Sequence, residues 1–265
     1  MNPSVTAPII FDRKLYAARR LKALRRGTES FLVRQTGENL AERLAAFDRK
    51  FARALDLGSR RESFPSIAPA ANIWIRTAAA PDGLASLVTD EEALPFAPDS
   101  FDLVVSVLTL HAVNDLPGAL AQIRQTLSPE GLFLGALFGG STLTELRRAF
   151  AAGEAEATGG ASPRVAPLTD VRDGGALLQR AGFVRPVADI ERVPVRYRSF
   201  DRLADDLRAL GETNALMQRR RSMTSRRTLD AVLAHYAERD KDSDGRLHAT
   251  FDILYLTGWT PSSAS

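Results

Sequence analysis

The sequence predicts an α/β fold, a doubly wound and mainly parallel sheet with helices on both faces. Two features predict it. After residue 53, short apolar runs bounded by Gly, Pro, Asp or Ser alternate with helical segments, which is typical of βα units. The segment 116–127 carries its apolar residues on one helical face and stops at Pro129, as expected of a crossover helix between parallel strands.

Five strands are expected in the first part of the sheet and two near its end. The first five are residues 53–57, 72–76, 84–89, 101–107 and 132–138. The late strands, 184–195 and 248–253, are expected to be antiparallel to each other, with a helical insertion at about 200–240 before the last strand. Further helices are expected at 142–158 and just before Gly182.

Residues 1–47 are predicted to form an N-terminal helical flank, and residues 48–265 the main domain. Between Phe11 and Phe47, apolar residues recur at helical spacing among Arg and Lys, with a break near Gly27. A chain of 265 residues is expected to build one main core with appendages.

The composition excludes several kinds of chemistry. The sequence has no cysteine, so disulfides, thiolate nucleophiles and cysteine-ligated zinc are ruled out. Its histidines lack ligand spacing, so no metal site is expected. No run approaches the roughly 18 apolar residues of a membrane span. The N-terminus lacks the apolar region of a secretory signal, so a bacterial cytoplasm is expected, with the mitochondrial matrix as the alternative.

Positive charge is concentrated in two arginine-rich stretches, 13–26 and 219–227, and the formal net charge is +3. Such stretches are usually solvated helix faces, and they show no pattern of interleaved aromatic residues, since Tyr16 is the single aromatic residue in them. Nucleic acid is therefore not expected as a partner. The stretch 219–227 could also meet an acidic partner.

The turn after the first strand is where doubly wound folds bind nucleotides, and here the strand ends in Asp56, Leu57 and Gly58. This run resembles the first motif of the class I S-adenosylmethionine (SAM) methyltransferases, and 90–96 and 101–117 resemble their later motifs in order. More narrowly, the words LPF…FDLVVSVLTLHAVNDLP, PEGLFLGALFGGSTLTELR, LLQRAGF and GETNA resemble the methyltransferase-like assembly factors of respiratory complex I. That family is similar in turn to the malonyl-carrier-protein methyltransferases of biotin synthesis.

The resemblance implies a Rossmann-like fold, SAM as cofactor, and a protein substrate or respiratory-complex subunit as partner. It implies either methyl transfer or the hydroxylation of a partner's arginine. The matching positions for SAM are Asp56, Gly58 and Asp90, with Glu91 beside Asp90. Local structural roles would also account for acidic residues at these positions. Asp90 could cap a helix, and Asp56 could fix the loop through backbone amides.

The first motif departs from the family pattern at its most demanding positions. Repeated glycines normally let the backbone approach the ligand, but only Gly58 is kept, and Arg60, Arg61 and Glu62 follow. Prolines interrupt the short interval before the second strand, so at most a turn or two of helix is expected there. The second strand ends without the acid that normally binds the ribose. These departures predict that SAM binding is altered or lost.

Other candidates lie at or above the same edge of the sheet. His111, beside Asn114, is the best candidate for a general acid or base, although a partly buried histidine that caps or supports the loop is the more frequent case. In the GETNA word, Glu212 and Asn214 could bind a partner's arginine, and Tyr197 could stack on it. A helix that ends at Gly211, followed by one that begins at Thr213, would account for the same residues.

Two functions remain open. The first is a SAM-dependent transferase or hydroxylase that acts on a protein side chain. The second is an assembly factor that keeps the fold but has lost the cofactor. Arg60 or Arg61 inside the cofactor cleft would favour the second, and an open cleft lined by Asp90 and His111 the first. A nucleic-acid methyltransferase, the third hypothesis, predicts salt-dependent retention on DNA or RNA.

Overall fold

The structure is a computed structural model that describes residues 8–262. Within them, seven strands form one sheet in the order β3-β2-β1-β4-β5-β7-β6. Strand β7 is antiparallel to β5 and β6, and the other neighbours are parallel. The strands are β1 (Phe51–Asp56), β2 (Ala71–Ala78), β3 (Leu87–Val88), β4 (Phe101–Val107), β5 (Leu127–Phe138), β6 (Val184–Tyr197) and β7 (Leu247–Trp259). The predicted doubly wound, mainly parallel sheet is confirmed.

Eight α-helices surround the sheet in the described range. Gly27 ends α1 at a φ of 68°, which is the predicted break, and Ser30 caps α2. The helices are α1 (Arg13–Arg26), α2 (Phe31–Ala45), α3 (Phe64–Ile67), α4 (Leu116–Thr126), α5 (Thr144–Thr158), α6 (Val171–Arg180), α7 (Phe200–Leu210) and α8 (Arg226–Asp240). Among residues 8–262, no helix combines the length and apolar character needed to cross a membrane.

The core lies on both faces of the sheet, as expected for parallel strands. Along β4, Leu103 and Val105 join the cluster under α2, α5 and α8, whereas Val104 joins the cluster under α4 and α6. This alternation explains why the strand is apolar along nearly its whole length.

Two elements differ from the sequence prediction. Strand β3 has only two residues instead of six, because it pairs with a single neighbour, β2, over Leu87 and Val88. In the insertion, Gly211 ends α7 at a φ of 77°, as the helix-cap interpretation predicted, but no helix begins at Thr213. Leu216 instead forms a β-bridge with Phe11, and α8 follows the cap at Ser225. Residues 211–225 therefore contain no helix. Their first part lies above the carboxyl edge of the sheet, where Glu212 contacts His111 and Arg60.

Helices α5 and α8 pack closely against each other, and this contact depends on Gly153. A Cβ atom at Gly153 would lie 2.5 Å from the backbone nitrogen of Val232. We expect Gly153→Ala to lower the free energy of unfolding by about 1–3 kcal/mol in denaturant titrations, because one helix must shift. Gly160→Ala is the control, since nothing lies within 4 Å of that position. Equal stability of the two variants would contradict this account.

Candidate functional site

The candidate site lies where β1, β4 and β5 end, beneath α1 and the segment 211–216. The loop after β1 turns at Gly58, whose φ is 69°. A Cβ atom there would lie 2.3 Å from Cγ2 of Thr109, in the loop after β4. The glycine is therefore needed for the close approach of two loops of this chain to each other.

Arg20 of α1 fixes these two loops together. Its guanidinium donates to Oγ1 of Thr109 at 2.8 Å and to the carbonyl oxygen of Gly58 at 3.0 Å. Thr109 Oγ1 in turn donates to the same carbonyl of Gly58. An arginine from outside the sheet thus lies against the loop that holds the cofactor in class I methyltransferases.

Arg60 lies inside the cleft between the loops after β1 and β4, and its side chain is only 8% exposed. It donates to the carbonyl oxygens of Leu210 at 2.7 Å and Leu108 at 2.8 Å, and it forms an ion pair of 3.1 Å with Glu212. Burial lowers the pKa of Arg60, and the neighbouring Arg20 adds to this. Arg61, the next residue, is exposed.

Arg76 occupies the end of β2, where the ribose-binding acid is expected. It donates to Oγ of Ser59 at 2.6 Å, lies 3.4 Å from the Asp56 carboxylate, and stacks over Phe64 at 3.9 Å from the ring centroid. Burial raises the pKa of Asp56 to about 6, although the hydrogen bond from Ser59 and the charge of Arg76 oppose this. Asp56 is fully buried and faces an arginine of its own chain.

Arg13 of α1 binds the acidic side chains that follow β3. Its guanidinium donates to Asp90 at 2.8 Å, contacts Glu91, and donates to the carbonyl oxygen of Ala112 at 2.9 Å. Asp90 also accepts from the backbone nitrogen of Glu92 at 3.1 Å within a turn. No helix begins there, so the helix-cap role considered for Asp90 is wrong. Both acids are therefore held by α1.

SAM does not fit beside the β1 loop in this arrangement. The cavity there, lined in part by Arg20, Ser59 and Arg60, has a volume of about 100 Å³. Small-molecule sites usually measure at least about 300 Å³. The acid expected at the ribose is replaced by Arg76, and Asp56 and Asp90 are bound by arginines.

A larger cavity of about 240 Å³ lies on the other side of the β4 loop. Its polar end is made by Glu212, which lies 3.0 Å from Nε2 of His111 and accepts from the Tyr16 hydroxyl at 2.8 Å. Burial raises the pKa of Glu212, but His111, Arg60 and Tyr16 outweigh this and bring it to about 2. Glu212 is thus ionised at neutral pH. The apolar walls include Phe138, Leu143, Leu146, Phe150, Val165, Leu168, Phe200, Ala204, Leu207 and Phe251.

The structure brings His111 and Glu212 together at the cavity, while Asp56, Gly58, Asp90 and Glu91 lie around the filled cleft. Two candidates, Asn114 and Tyr197, take other positions, and a third, Asn214, is at the cavity but bonded within the chain. Asn114 accepts from the backbone nitrogens of Ile10 and Phe11 at 2.7 Å each, so it anchors the segment before α1. Asn214 lines the cavity and donates to the carbonyl oxygen of Pro163. Tyr197, only 5% exposed, packs in the core and is not placed to stack on an arginine in the cavity.

Sequence reasoning missed the contribution of α1. Arg13, Tyr16 and Arg20 are spaced by three and four residues, so they share one face of the helix. All three point into the site, and this spacing was the available signal. In the described part of the chain, no group of three or more His, Asp or Glu side chains is arranged to hold a metal ion.

Comparison with known proteins agrees with this architecture. Residues 65–135 match the family described as "Methyltransferase domain". The human protein named "Arginine-hydroxylase NDUFAF5, mitochondrial" is 38% identical, over 94% of this chain and 76% of its own length. A malonyl-[acyl-carrier protein] O-methyltransferase of Xylella fastidiosa is 37% identical, over 68% of this chain and 59% of its own length. The YcgJ protein of Bacillus subtilis superposes with a TM-score of 0.57 at 13% identity, covering 84% of this chain and 98% of that protein.

The fold and the motifs together define a class I SAM methyltransferase domain. Within that superfamily, the chain belongs to the family of the NDUFAF5 arginine-hydroxylases. The family resemblance recognised in the sequence is therefore confirmed.

Glu212 is expected to carry a large share of the stability of the site. We expect Glu212→Gln to lower the free energy of unfolding at pH 7 by roughly 3 kcal/mol, because Arg60 loses its buried counter-charge. The pKa of Glu212 is lower in the folded than in the unfolded protein, so its stabilisation is complete above about pH 4.5 and is lost as the pH falls toward about 2. The difference from wild type should shrink over that window.

Chemical denaturation at a series of pH values measures this difference. Glu38→Gln is the matched control, since Glu38 is exposed. A deficit for Glu212→Gln that stays constant from neutral to strongly acidic pH would show that the charge of Glu212 is not the cause.

Proposed function

We propose that this protein is a methyltransferase-fold assembly factor for a respiratory complex, and that it binds an arginine side chain of a partner protein at Glu212 and His111. We further propose that it does not take up SAM. One observation carries the proposal: Arg20, Arg60 and Arg76 of the chain itself fill the cleft between the loops that hold the cofactor in this fold.

The buried arginines are fixed by several bonds each, so displacing them is costly. Arg60 alone makes two hydrogen bonds to carbonyl oxygens and an ion pair. A cofactor that entered the cleft would have to replace those partners and then hold Arg60 elsewhere. Removing the partner of a buried charge destabilises a protein by several kcal/mol, which supports a cleft that stays closed.

The larger cavity offers what an arginine side chain requires. An ionised carboxylate has about four acceptor positions, and Tyr16, Arg60 and His111 use three of those on Glu212. Nδ1 of His111 is buried and has no hydrogen-bond partner within the described residues. Aromatic walls such as Phe138 suit the flat face of a guanidinium. The name of the human relative, an arginine-hydroxylase, supports the same side-chain class.

The role in complex I assembly and the cellular location are proposed from the family. The words shared with the methyltransferase-like assembly factors run through most of the chain. We propose a bacterial cytoplasm, with the mitochondrial matrix as the alternative that the names of the animal relatives support.

A second candidate is an active SAM-dependent enzyme of the family type. It is favoured by the retention of Asp90 and Glu91, which are held by Arg13 of α1 and not by the sheet itself. In that case α1 would have to move, and His111 would be the general acid or base beside the bound side chain.

The cofactor question is decided by calorimetric titration with SAM and S-adenosylhomocysteine, after the protein has been stripped of carried-over ligand. We expect no heat of binding at millimolar ligand. The double variant Arg13→Ala/Arg20→Ala should also fail to bind, because Arg60 and Arg76 remain in the cleft.

The matched control is Arg25→Ala/Arg26→Ala, which removes two exposed arginines from the same helix. Micromolar binding by the wild type would contradict the proposal and support the second candidate. Binding by the Arg13→Ala/Arg20→Ala protein alone would show that α1, and not the β1 loop, closes the cleft.

The arginine site is tested with a glycine-flanked peptide that contains one arginine, titrated by NMR against the same peptide with norleucine. We expect shifts at the cavity with the arginine peptide only. Ala204→Phe fills the cavity and should weaken binding by roughly tenfold or more, whereas Ala204→Ser should change it little. Equal binding of the two peptides would refute an arginine site.

A further inference from the structure

The segment that follows the cavity wall is strongly basic. From Thr213 to Leu229 the sequence contains no acidic residue. We call five of its side chains the basic rim: Arg219, Arg220, Arg221, Arg226 and Arg227. The proposed function does not use this segment.

The basic rim is continuous with the cavity. Leu216, just before it, lines the cavity, and so does Arg164, which donates to Oγ1 of Thr224 within the segment at 3.2 Å. Ser225 then caps α8, whose first residues are Arg226 and Arg227. The segment 211–225 is thus fixed near its start, where Leu216 lines the cavity, and at its end, where Thr224 contacts Arg164 and Ser225 caps α8.

Most of the positive charge in the rim has no counter-charge in the described part of the chain. Arg219 pairs with Asp12 at 3.1 Å. Arg220 donates to the neutral hydroxyl of Ser222, and no ion pair is formed by Arg221, Arg226 or Arg227 among residues 8–262. Four arginines of a segment that adjoins the cavity at Leu216 therefore form no ion pair within the described residues, although Arg221 is near enough to Asp12 to lower the pKa of that carboxyl.

A neighbouring arginine on α1 adds to this charge. Burial lowers the pKa of Arg19, and the proximity of Arg219 lowers it further. Nη1 of Arg19 is buried without a hydrogen-bond partner among the described residues. A positive group held in this way beside another arginine is stabilised by any anion that approaches both.

Exposed apolar side chains lie among these charges. Met223 is 92% exposed, Met217 is 40% exposed, and Ile9 is 69% exposed. The backbone nitrogen of Met217 donates to the carbonyl oxygen of Ile10, so Met217 and Ile9 lie close together. Methionine adapts its shape to a partner surface, which suits a contact that also uses charge.

We propose that the basic rim binds an acidic stretch of the partner protein, contiguous with the arginine held in the cavity. This inference depends on the proposed function, because the cavity supplies the anchor from which the acidic stretch extends. Complementary charge would speed association and select partners, and at low salt it would also tighten binding. The continuity of rim and cavity favours one protein chain over a membrane surface, which would contact the rim but leave the cavity without a ligand.

The test uses two fluorescent peptides with one central arginine, one flanked by Asp and Glu and the other by Asn and Gln. We expect the full-length protein to bind the acidic peptide roughly tenfold more tightly at low salt, with the advantage falling as salt is added. The triple variant Arg220→Glu/Arg221→Glu/Arg227→Glu should remove that advantage. The control Arg172→Glu/Arg180→Glu/Arg239→Glu reverses three exposed arginines that do not line the cavity and should keep it.

Equal affinity for the two peptides, or the same loss in the control variant, would contradict the proposal that the basic rim binds an acidic stretch. So would binding to vesicles that contain phosphatidylserine, if it matches the acidic peptide in strength and is removed by the rim variant. If the glycine-flanked arginine peptide binds but acidic flanks add nothing, the inference fails and the proposed function stands. If replacing the central arginine by alanine leaves acidic-peptide binding unchanged, the arginine site fails, and the inference of an acidic stretch anchored in the cavity fails with it.

Discussion

The site depends on the burial of Arg60 and the partners that make this burial possible. A guanidinium withdrawn from water is costly unless each of its donors and its charge are compensated. Carbonyl oxygens from the β4 loop and from the end of α7, together with Glu212, compensate the two terminal nitrogens and the charge. Nε of Arg60 is buried without a hydrogen-bond partner among the described residues, so part of the cost remains. The three elements must therefore hold their relative positions for as long as Arg60 stays in the cleft.

Glu212 extends this constraint to the rest of the site. It binds Tyr16 of α1, Arg60 of the β1 loop and His111 of the β4 loop, which are far apart in sequence. Because it is ionised well below neutral pH, these contacts persist at physiological pH. The carboxylate thus couples the closed cleft to the polar end of the cavity, and a ligand that reaches Glu212 would also affect the packing of α1.

The sequence predicted those parts of the molecule that local patterns determine. Strand β4 and helix α4 were recognisable because apolar residues recur with strand or helix periodicity and turn residues bound them. The two-residue β3 and the irregular segment 211–225 were not, since they depend on pairing with distant residues, such as Leu216 with Phe11. The misfit of Arg60 with a cofactor loop was visible in the sequence. The entry of Arg13 and Arg20 from α1 was not, because nothing local shows where a flanking helix will dock.

A methyltransferase fold can keep its architecture while its cofactor loop is lost, because the two draw on different residues. The core is made by β4, β5 and β7 with their helices, and their side chains pack whatever follows Gly58. The cavity is built mainly from β5, α5 and α7. Of these, β5 lies on the far side of β4 from β1, and only the end of α7 reaches the β1 loop. Changes of the β1 loop can therefore leave the cavity beside Glu212 in place, provided that Glu212 keeps a buried cation as its partner in the cleft. Arg60 is that cation, because it forms an ion pair with Glu212. The residue that stands in place of a loop glycine thus also binds the GETNA segment.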